Sequence, residues 1–450
     1  MATGDNSKKT VKGEEIDPRC IVKFRPADDW VGEYGFDWFR VGDCTEKDSN
    51  SKNRTFSDFS KCMDDYDINA KQFIDENKYD TISIKNDNGQ TNHEDIKLAN
   101  SNEKKYIVPV VSLFYKNEFR SKSKNEWGET KAKVNLLIYA NNISEIDLYC
   151  VGNKGEKITI SKSVITDINN QEITVEINKP FDQIISIKAY AKTSDDVNKK
   201  KKGTLSGQLN VRCVCKFVDL ILIPVKIRLP DGPISFFKSL FNNAHEDNLL
   251  LGEENISRLI AQAGVIPRVE IRRFLPEFEK IIEKKLNDGG FINKPENSLN
   301  CGRNSHDGIE IVKLFEEVFN AQYGFLENAY KVFFFGVKAN DPWDPGEYTG
   351  ITRKIPSKAA NVYKGADSVT ACHEFLHSLG LRHTFDSAYS YNVFNQGTTS
   401  NIMDYTWHVS GDNIFDRLTL WSCQWKAICS ADGVRDNELE LAYNALPKSK

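Results

Sequence analysis

The chain has 450 residues, of which 40% are hydrophobic and 28% charged, with a formal net charge of -4. This length favours two or three domains over a single core, and the charge excludes the strong basic field that recruits nucleic acid. No stretch approaches the roughly 18 consecutive apolar residues of a membrane-spanning helix. We therefore expect no nucleic-acid partner and no membrane span.

The first 18 residues are polar, rich in Lys and Glu, and lack the apolar core of a secretory signal. We expect a mobile N-terminal segment over 1–18, synthesis in the cytoplasm and, if the protein is secreted, a leaderless route. The ten cysteines are thinly spread and form no CxxC pair. Free thiols are expected, rather than disulfides or a cysteine zinc site.

Residues 19–105 are predicted to form a small β-rich module. The segment CIVKFRPADDWVGEYGFDWFRVGD, which starts at Cys20, is dense in aromatics and in turn residues, as in short strands joined by tight turns. Its aromatic side chains are interpreted as core and edge packing, with an aromatic binding platform as the alternative. They are Trp30, Tyr34, Phe36, Trp38 and Phe39.

Residues 106–216 contain seven short β-branched runs, bounded by Asn, Gly, Lys and Pro. In one run Ile173, Val175 and Ile177 alternate with polar residues, the period of a strand that has one face in a core. The number and spacing of the runs predict an antiparallel β-sandwich of immunoglobulin-like size.

Residues 217–450 mix the two kinds of pattern. Amphipathic spacing predicts helices at 256–263 and 311–319, and apolar runs predict strands at 218–229 and 330–337. Alternating strands and helices indicate an α/β domain. The expected fold class is therefore multidomain, with N-terminal all-β, sandwich-like modules followed by a C-terminal α/β domain.

The stretch ADSVTACHEFLHSLGLRHTF, residues 366–385, holds three of the seven histidines. Asp367 or Ser368 is suited to cap the start of a helix, and Gly380 can adopt the left-handed conformation just past its end. No helix-breaking residue lies between them. The stretch therefore predicts a helix from about 368 to 379.

The histidine spacing in this helix is that of a metal site. His373 and His377 lie four residues apart and project from the same face. Gly380 then lets the chain turn, so that His383 can return as a third ligand. Three neutral imidazoles leave one tetrahedral position open, as in a catalytic rather than a structural zinc site. Glu374, beside the first histidine, can act as a base without being a ligand.

A His-Glu pair alone carries little information. His93-Glu94 and His245-Glu246 lack a second histidine four positions after the first, and both pairs are expected to be surface residues. Only the pair at 373 continues as H-E-x-x-H-x-x-G-x-x-H, a pattern with a defined metal-binding mechanism.

HEFLHSLGLRH resembles the zinc-binding signature of the metzincin metallopeptidases. That family also has a methionine-containing turn beneath the zinc, and the sequence NIMDY places Met403 twenty residues after His383. Tyr405 matches the Met-x-Tyr arrangement of the astacin-like and serralysin-like branches. In those branches this tyrosine helps to stabilise the transition state; its alternative role is ordinary aromatic packing.

The resemblance implies a metzincin-like zincin domain that binds Zn2+ and hydrolyses peptide bonds in a protein or peptide substrate. It implies that His373, His377 and His383 bind the metal and that Glu374 is the general base and acid. The segment 348–365 lies where metzincins carry the edge strand that pairs with an extended substrate. The residues after His383, by contrast, fit no branch of the family cleanly.

The main alternative is a secreted or injected effector, or a binding protein, in which the protease fold serves mainly as a recognition module. The leaderless start, the β-rich front modules and the C-terminal signature together resemble bacterial effectors that a dedicated machine exports. A cytosolic protease would have the same features. In either case residues 20–215 are interpreted as serving docking, substrate capture or export.

Overall fold

The computed structural model describes residues 14–30, 32–38, 79–84, 105–115, 130–169, 171–213, 216–227, 256–293, 295–296, 298–301, 306–340, 347–352, 354–366, 368–386, 399, 401–405 and 419–436. Within them the chain is mainly β-structure, divided among several sheets and accompanied by few helices. This agrees with the expected β-rich, multidomain class.

Two sheets pack face to face in the first half of the chain. One is antiparallel and has the order β1 (Cys20–Pro26), β6 (Lys131–Ala140), β10 (Gln171–Ile177), β8 (Ile158–Ile160). The other has the order β2 (Gly35–Asp37), β5 (Val110–Leu113), β12 (Thr204–Cys213), β11 (Ile185–Lys192), β7 (Glu145–Val151), β9 (Val164–Ile165). A two-stranded sheet, β3 (Thr81–Ser83) with β4 (Lys105–Ile107), and a short helix, α1 (Ser194–Asn198), accompany them.

The inner faces of the two large sheets share one hydrophobic core, so we refer to this pair of sheets as the sandwich. Ile173, Val175 and Ile177 are all buried in it, which confirms the predicted alternation of β10. The expectation of a wholly antiparallel arrangement was wrong in one place, since β5 and β12 pair in parallel. These strands are far apart in sequence, and no hairpin fixes their relative direction.

The aromatic residues near the N-terminus belong to this core. Trp30, Tyr34, Phe36 and Trp38 are all buried, and the indole of Trp30 donates to the carbonyl of Tyr34. The packing interpretation is therefore confirmed for these four, whereas Phe39 lies outside the described residues. Both β1 and β2 are strands of the sandwich sheets, although they fall within the range 19–105.

A third large sheet lies in the second half of the chain. Its order is β14 (Val265–Ile271), β13 (Lys216–Val225), β17 (Ala329–Phe335), β21 (Ala359–Val362), β20 (Gly350–Thr352), and β22 (Arg435–Asp436) also pairs with β13. The first four strands are parallel, and β20 runs antiparallel at the edge. A smaller sheet consists of β15 (Ile292–Asn293), β16 (Ser298–Asn300), β18 (Lys338–Asn340) and β19 (Glu347–Tyr348).

Helices cover both faces of the third sheet. They are α2 (residues 256–261), α3 (Pro276–Asp288), α4 (His306–Tyr323), α5 (Ser368–Ser378) and α6 (Ser422–Cys429). Leu220 and Leu222 of β13 pack with α2, α5 and α6, whereas Ile221 and Ile223 pack with α3 and α4. Because β13 is buried on both faces, its sequence is a continuous apolar run. This explains why apolar and polar residues do not alternate over 218–229.

The seven described cysteines are all free thiols, as expected: Cys20, Cys150, Cys213, Cys301, Cys372, Cys423 and Cys429. Among the described residues no helix is long and apolar enough to cross a membrane.

Ile173→Ala tests the assignment of the sandwich core. The truncation leaves a cavity at a position that is 1% exposed, and we expect a loss of about 2–5 kcal/mol in unfolding free energy by chemical denaturation. Ile184→Ala is the matched control, because Ile184 is 51% exposed; we expect a change within about 0.5 kcal/mol there. Equal losses in the two variants would contradict the predicted core.

Candidate metal centre

The motif helix α5 runs from Ser368 to Ser378, in agreement with the helix predicted for this stretch. Its buried side chains, among them Cys372, Phe375 and Leu376, pack into the core beside the third sheet. The predicted N-cap cannot be assigned, because Asp367 and the side chain of Ser368 lie outside what the structure describes.

The end of α5 is a Schellman turn, and Gly380 is its left-handed residue with φ +103°. The Gly380 amide donates to the carbonyl of His377 at 2.9 Å, and the Leu381 amide donates to the carbonyl of Leu376 at 3.0 Å. These are the two hydrogen bonds that define the motif. The predicted role of the glycine is confirmed: it reverses the chain, so that His383 returns toward the helix.

The three histidines converge through their Nε2 atoms. The Nε2 of His383 lies 3.2 Å from that of His373 and 3.0 Å from that of His377. The three ligand atoms lie within 4.8 Å of one another. A tetrahedral zinc with Zn–N bonds of about 2.0–2.1 Å would separate its nitrogens by about 3.3–3.4 Å. The spacing therefore fits a single metal ion, and the three histidines can hold one.

Backbone carbonyls fix the orientation of two of the rings. The Nδ1 of His373 donates to the carbonyl of Ile402 at 2.8 Å, and the Nδ1 of His377 donates to the carbonyl of Leu381 at 2.7 Å. In neutral rings this places the proton on Nδ1 and directs the Nε2 lone pair at the centre. A single proton on the Nε2 of His383 cannot be shared equally by the Nε2 lone pairs of His373 and His377. One cation, by contrast, can bind all three nitrogens.

The electrostatics of the centre also favour a neutral ligand. Burial lowers the pKa of His377 to about 4, partly offset by its hydrogen bond to Leu381. The imidazole is therefore unprotonated at neutral pH, the form that binds metals.

Glu374 lies on α5 between the two helical histidines and is buried. Strand β20 holds its carboxylate, because the hydroxyl of Thr352 lies 2.7 Å from Oε2 and 3.0 Å from the carbonyl oxygen of Glu374, both of them acceptors. Two residues before, Gly350 leaves room for the same side chain. A Cβ at position 350 would lie 2.5 Å from the Cγ of Glu374 and 2.7 Å from its Oε1.

The turn 401–405 closes the other side of the centre. Met403 is buried in the core that also contains α5 and α6, and its carbonyl accepts from the Thr384 amide at 3.2 Å. Asp404 accepts from Thr399 through Oδ2 and from the Tyr405 amide through Oδ1. These hydrogen bonds help to hold the turn, which is not itself part of a regular helix or strand.

Tyr405 is half-buried beside the histidines. Its ring centroid lies 4.6 Å from that of His383 and 5.6 Å from that of His373. The ring of Phe385 stacks on the ring of His383, with their centroids 4.8 Å apart. The structure thus brings Tyr405 to the edge of the three-histidine group.

Several residues around the centre were not predicted from sequence: Gly350, Thr352, Asn401 and Gln424. None belongs to the histidine motif, and each acts through a partner distant in the chain. Of the predicted features, the pairs His93-Glu94 and His245-Glu246 lie outside the described residues. Trp421, Trp425 and Ile428 are buried at or within α6.

No model of a known protein family matches the chain, and no curated protein matches it significantly. The geometry of the metal centre is therefore the main ground for assigning a function.

Gly380→Ala is expected to lower zinc affinity about tenfold. An alanine in the left-handed conformation costs roughly 1–2 kcal/mol, and relaxation of the turn would withdraw His383 from the other ligands. The measurement is competition with a metal chelator at neutral pH.

Gly324→Ala is the matched control, because Gly324 also follows a helix, has φ +80° and leaves open space for a Cβ. We expect a similar loss of stability with zinc affinity unchanged. Equal zinc affinity in both variants would contradict the assigned role of Gly380.

Proposed function

We propose that the chain is a zinc-dependent endopeptidase with a metzincin-like catalytic domain in its second half. The observation that carries the proposal is the convergence of three histidine Nε2 atoms beside a buried glutamate on the same helix. The signature HEFLHSLGLRH supplies all four residues.

Zinc is the metal that this donor set favours. Three neutral imidazole nitrogens with a tetrahedral spacing suit Zn2+, and a site with three protein ligands keeps a position for water or substrate. A structural zinc site would instead complete four protein ligands. Within the described residues no fourth histidine, cysteine or carboxylate joins the group.

A bound Zn2+ would act as a Lewis acid, polarising a carbonyl and lowering the pKa of water. The protein's own contribution begins with Glu374, which takes a proton from the attacking water and passes it to the leaving amine. The Thr352 hydroxyl donates to one carboxylate oxygen, and the missing Cβ of Gly350 lets the side chain of Glu374 pack closely against β20. Together they hold the base in one orientation before the substrate arrives.

Tyr405 is suited to stabilise negative charge that develops on the substrate oxygen. Its ring packs against His383 and Phe385, which limits the positions that the phenol can take. A preorganised hydroxyl donor of this kind contributes several kcal/mol to transition-state stabilisation.

The substrate is proposed to bind in an extended conformation along β20. This strand lies at the edge of the third sheet, and within the described residues it pairs with β21 alone. Its other edge can therefore take a further strand through backbone hydrogen bonds. Because Gly350 and Thr352 lie on β20, a substrate strand would lie next to the residues that hold the base.

The presence of the base favours an enzyme over a binding protein that only retains the fold. Metal binding alone requires His373, His377 and His383, whereas Glu374 is needed for water activation. Export by a dedicated machine and docking by the sandwich stay predictions.

Glu374→Gln is expected to retain zinc and to lose cleavage. The amide keeps the size of the side chain but cannot take a proton, so kcat should fall at least about 10²–10⁴-fold. The measurement is proteome-wide cleavage-site profiling together with zinc content by atomic spectroscopy. Glu277→Gln, an exposed glutamate on α3, is the matched control and should cleave as the wild type does. Full proteolysis by Glu374→Gln would overturn the assignment.

Gly350→Ala is expected to lower kcat/KM about 10²-fold, because a shift of the base by about 1 Å can have that effect. Zinc content should not change, since Gly350 contacts no histidine among its nearest neighbours. Ile351→Val on the same strand is the control and should retain activity. If Gly350→Ala retained wild-type kcat/KM, the strand would not position the base.

A further inference from the structure

A chain of hydrogen bonds leads away from the metal centre toward α6. His373 donates through Nδ1 to the carbonyl of Ile402, so the orientation of this ligand depends on where the turn 401–405 lies. Asn401, the residue before Ile402, is fully buried, and its Oδ1 accepts from the Met403 amide at 2.9 Å. The position of the turn is thus tied to the side chain of Asn401.

Asn401 forms an amide pair with Gln424 on α6. The Nδ2 of Asn401 donates to the Oε1 of Gln424 at 2.8 Å, and the Nε2 of Gln424 donates to the Oδ1 of Asn401 at 3.1 Å. The Oε1 of Gln424 also accepts from the Trp421 amide at 2.8 Å. The reciprocal pair gives a defined geometry, so a displacement of α6 would be transmitted to the turn.

The sandwich, for its part, holds the N-terminal end of α6. The Oδ2 of Asp37, on β2, accepts from the Ser422 amide at 2.8 Å and from the Tyr79 hydroxyl at 2.8 Å. Asp37 is fully buried. A side-chain acceptor is favourable at this place, because the first amides of a helix lack acceptors within it.

Three further contacts join the same surfaces. Gln262 accepts from the Leu420 amide at 2.9 Å and donates to the carbonyl of Gly32 at 3.3 Å. A Cβ at Gly35 would lie 2.2 Å from the carbonyl oxygen of Gln262, so β2 and the segment after α2 approach as closely as two backbones can. The guanidinium of Arg212 on β12 lies 5.6 Å from the ring of Trp425 on α6.

We propose that Asp37 and Gln424 are positioning residues for the metal centre, and that the sandwich is a structural part of that centre. The sandwich holds α6 through Asp37, α6 holds the turn 401–405 through Gln424, and the turn orients His373. This inference rests on the proposed metal centre but not on peptide cleavage. It assigns to the sandwich a role in metal retention besides any docking role.

The first test uses the wild-type protein and hydrogen exchange with and without Zn2+. Coupling between two sites is reciprocal, so metal binding should stabilise the contacts of the sandwich with α6. We expect zinc to slow exchange at the amides of Asp37 and Ser422 about tenfold, while the amides of β10, in the other sheet, change less than about twofold. Unchanged exchange at Asp37 and Ser422 in the zinc-loaded protein would overturn the proposal.

The second test compares variants by the rate at which a chelator removes Zn2+ and by the visible spectrum of the Co2+-loaded protein. Asp37→Leu removes the acceptor, and we expect release about tenfold faster and a shifted Co2+ spectrum, since outer partners of ligands affect affinity by about 10–100-fold. Asp37→Asn keeps an acceptor for Ser422 and should restore slow release. Gln424→Glu, which loses the donor to Asn401, should resemble Asp37→Leu.

Asp147→Asn is the matched control, because Asp147 is a buried sandwich carboxylate that pairs with Lys192 on the same sheet. It should perturb the sandwich and leave zinc release unchanged. Equal release from wild type, Asp37→Leu and Gln424→Glu would overturn the proposal, as would fast release from Asp147→Asn. Failure of the wild type to bind Zn2+ would overturn the metal centre itself, and with it both proposals.

Discussion

The hydrogen bond from His373 to the carbonyl of Ile402 joins the two halves of the metal centre. On one side is a regular helix, whose periodicity alone brings His373 and His377 to one face. On the other is an irregular turn that no repeated hydrogen-bond pattern stabilises. Because this bond fixes both the tautomer and the direction of the ring, the geometry of the ligand set depends on how firmly the turn is held.

The edge strand β20 has two functions in the proposed enzyme, and they are linked. In the proposal its outer edge binds an extended substrate, while Thr352 donates to the carboxylate of Glu374 and Gly350 leaves room for it. A strand that binds the substrate and also holds Glu374 sets the position of the peptide relative to the base. The relative position of peptide and base then depends on a single short element, in which small changes are expected to affect turnover more than metal binding.

Sequence periodicity was sufficient for the parts of the structure that local rules control. The alternation of Ile173, Val175 and Ile177, the helix at 368–378 and the turn at Gly380 follow from dihedral preferences and burial within a few residues. The convergence of the histidines follows from the same short-range geometry. Contacts between distant segments were not predictable in this way.

Asp37 and Ser422 are 385 positions apart, and no pattern in either segment marks the other. The sandwich was accordingly interpreted from sequence as a separate module for docking or export, because its strands contain no group with catalytic chemistry. Burial changes that view, since a fully buried carboxylate is costly unless it is paired. Asp37 accepts its two hydrogen bonds through Oδ2, and both are available only while α6 and Tyr79 lie against it. Contact with α6 therefore offsets part of the cost of burying Asp37, so the hydrogen bond that is proposed to hold α6 also stabilises the sandwich.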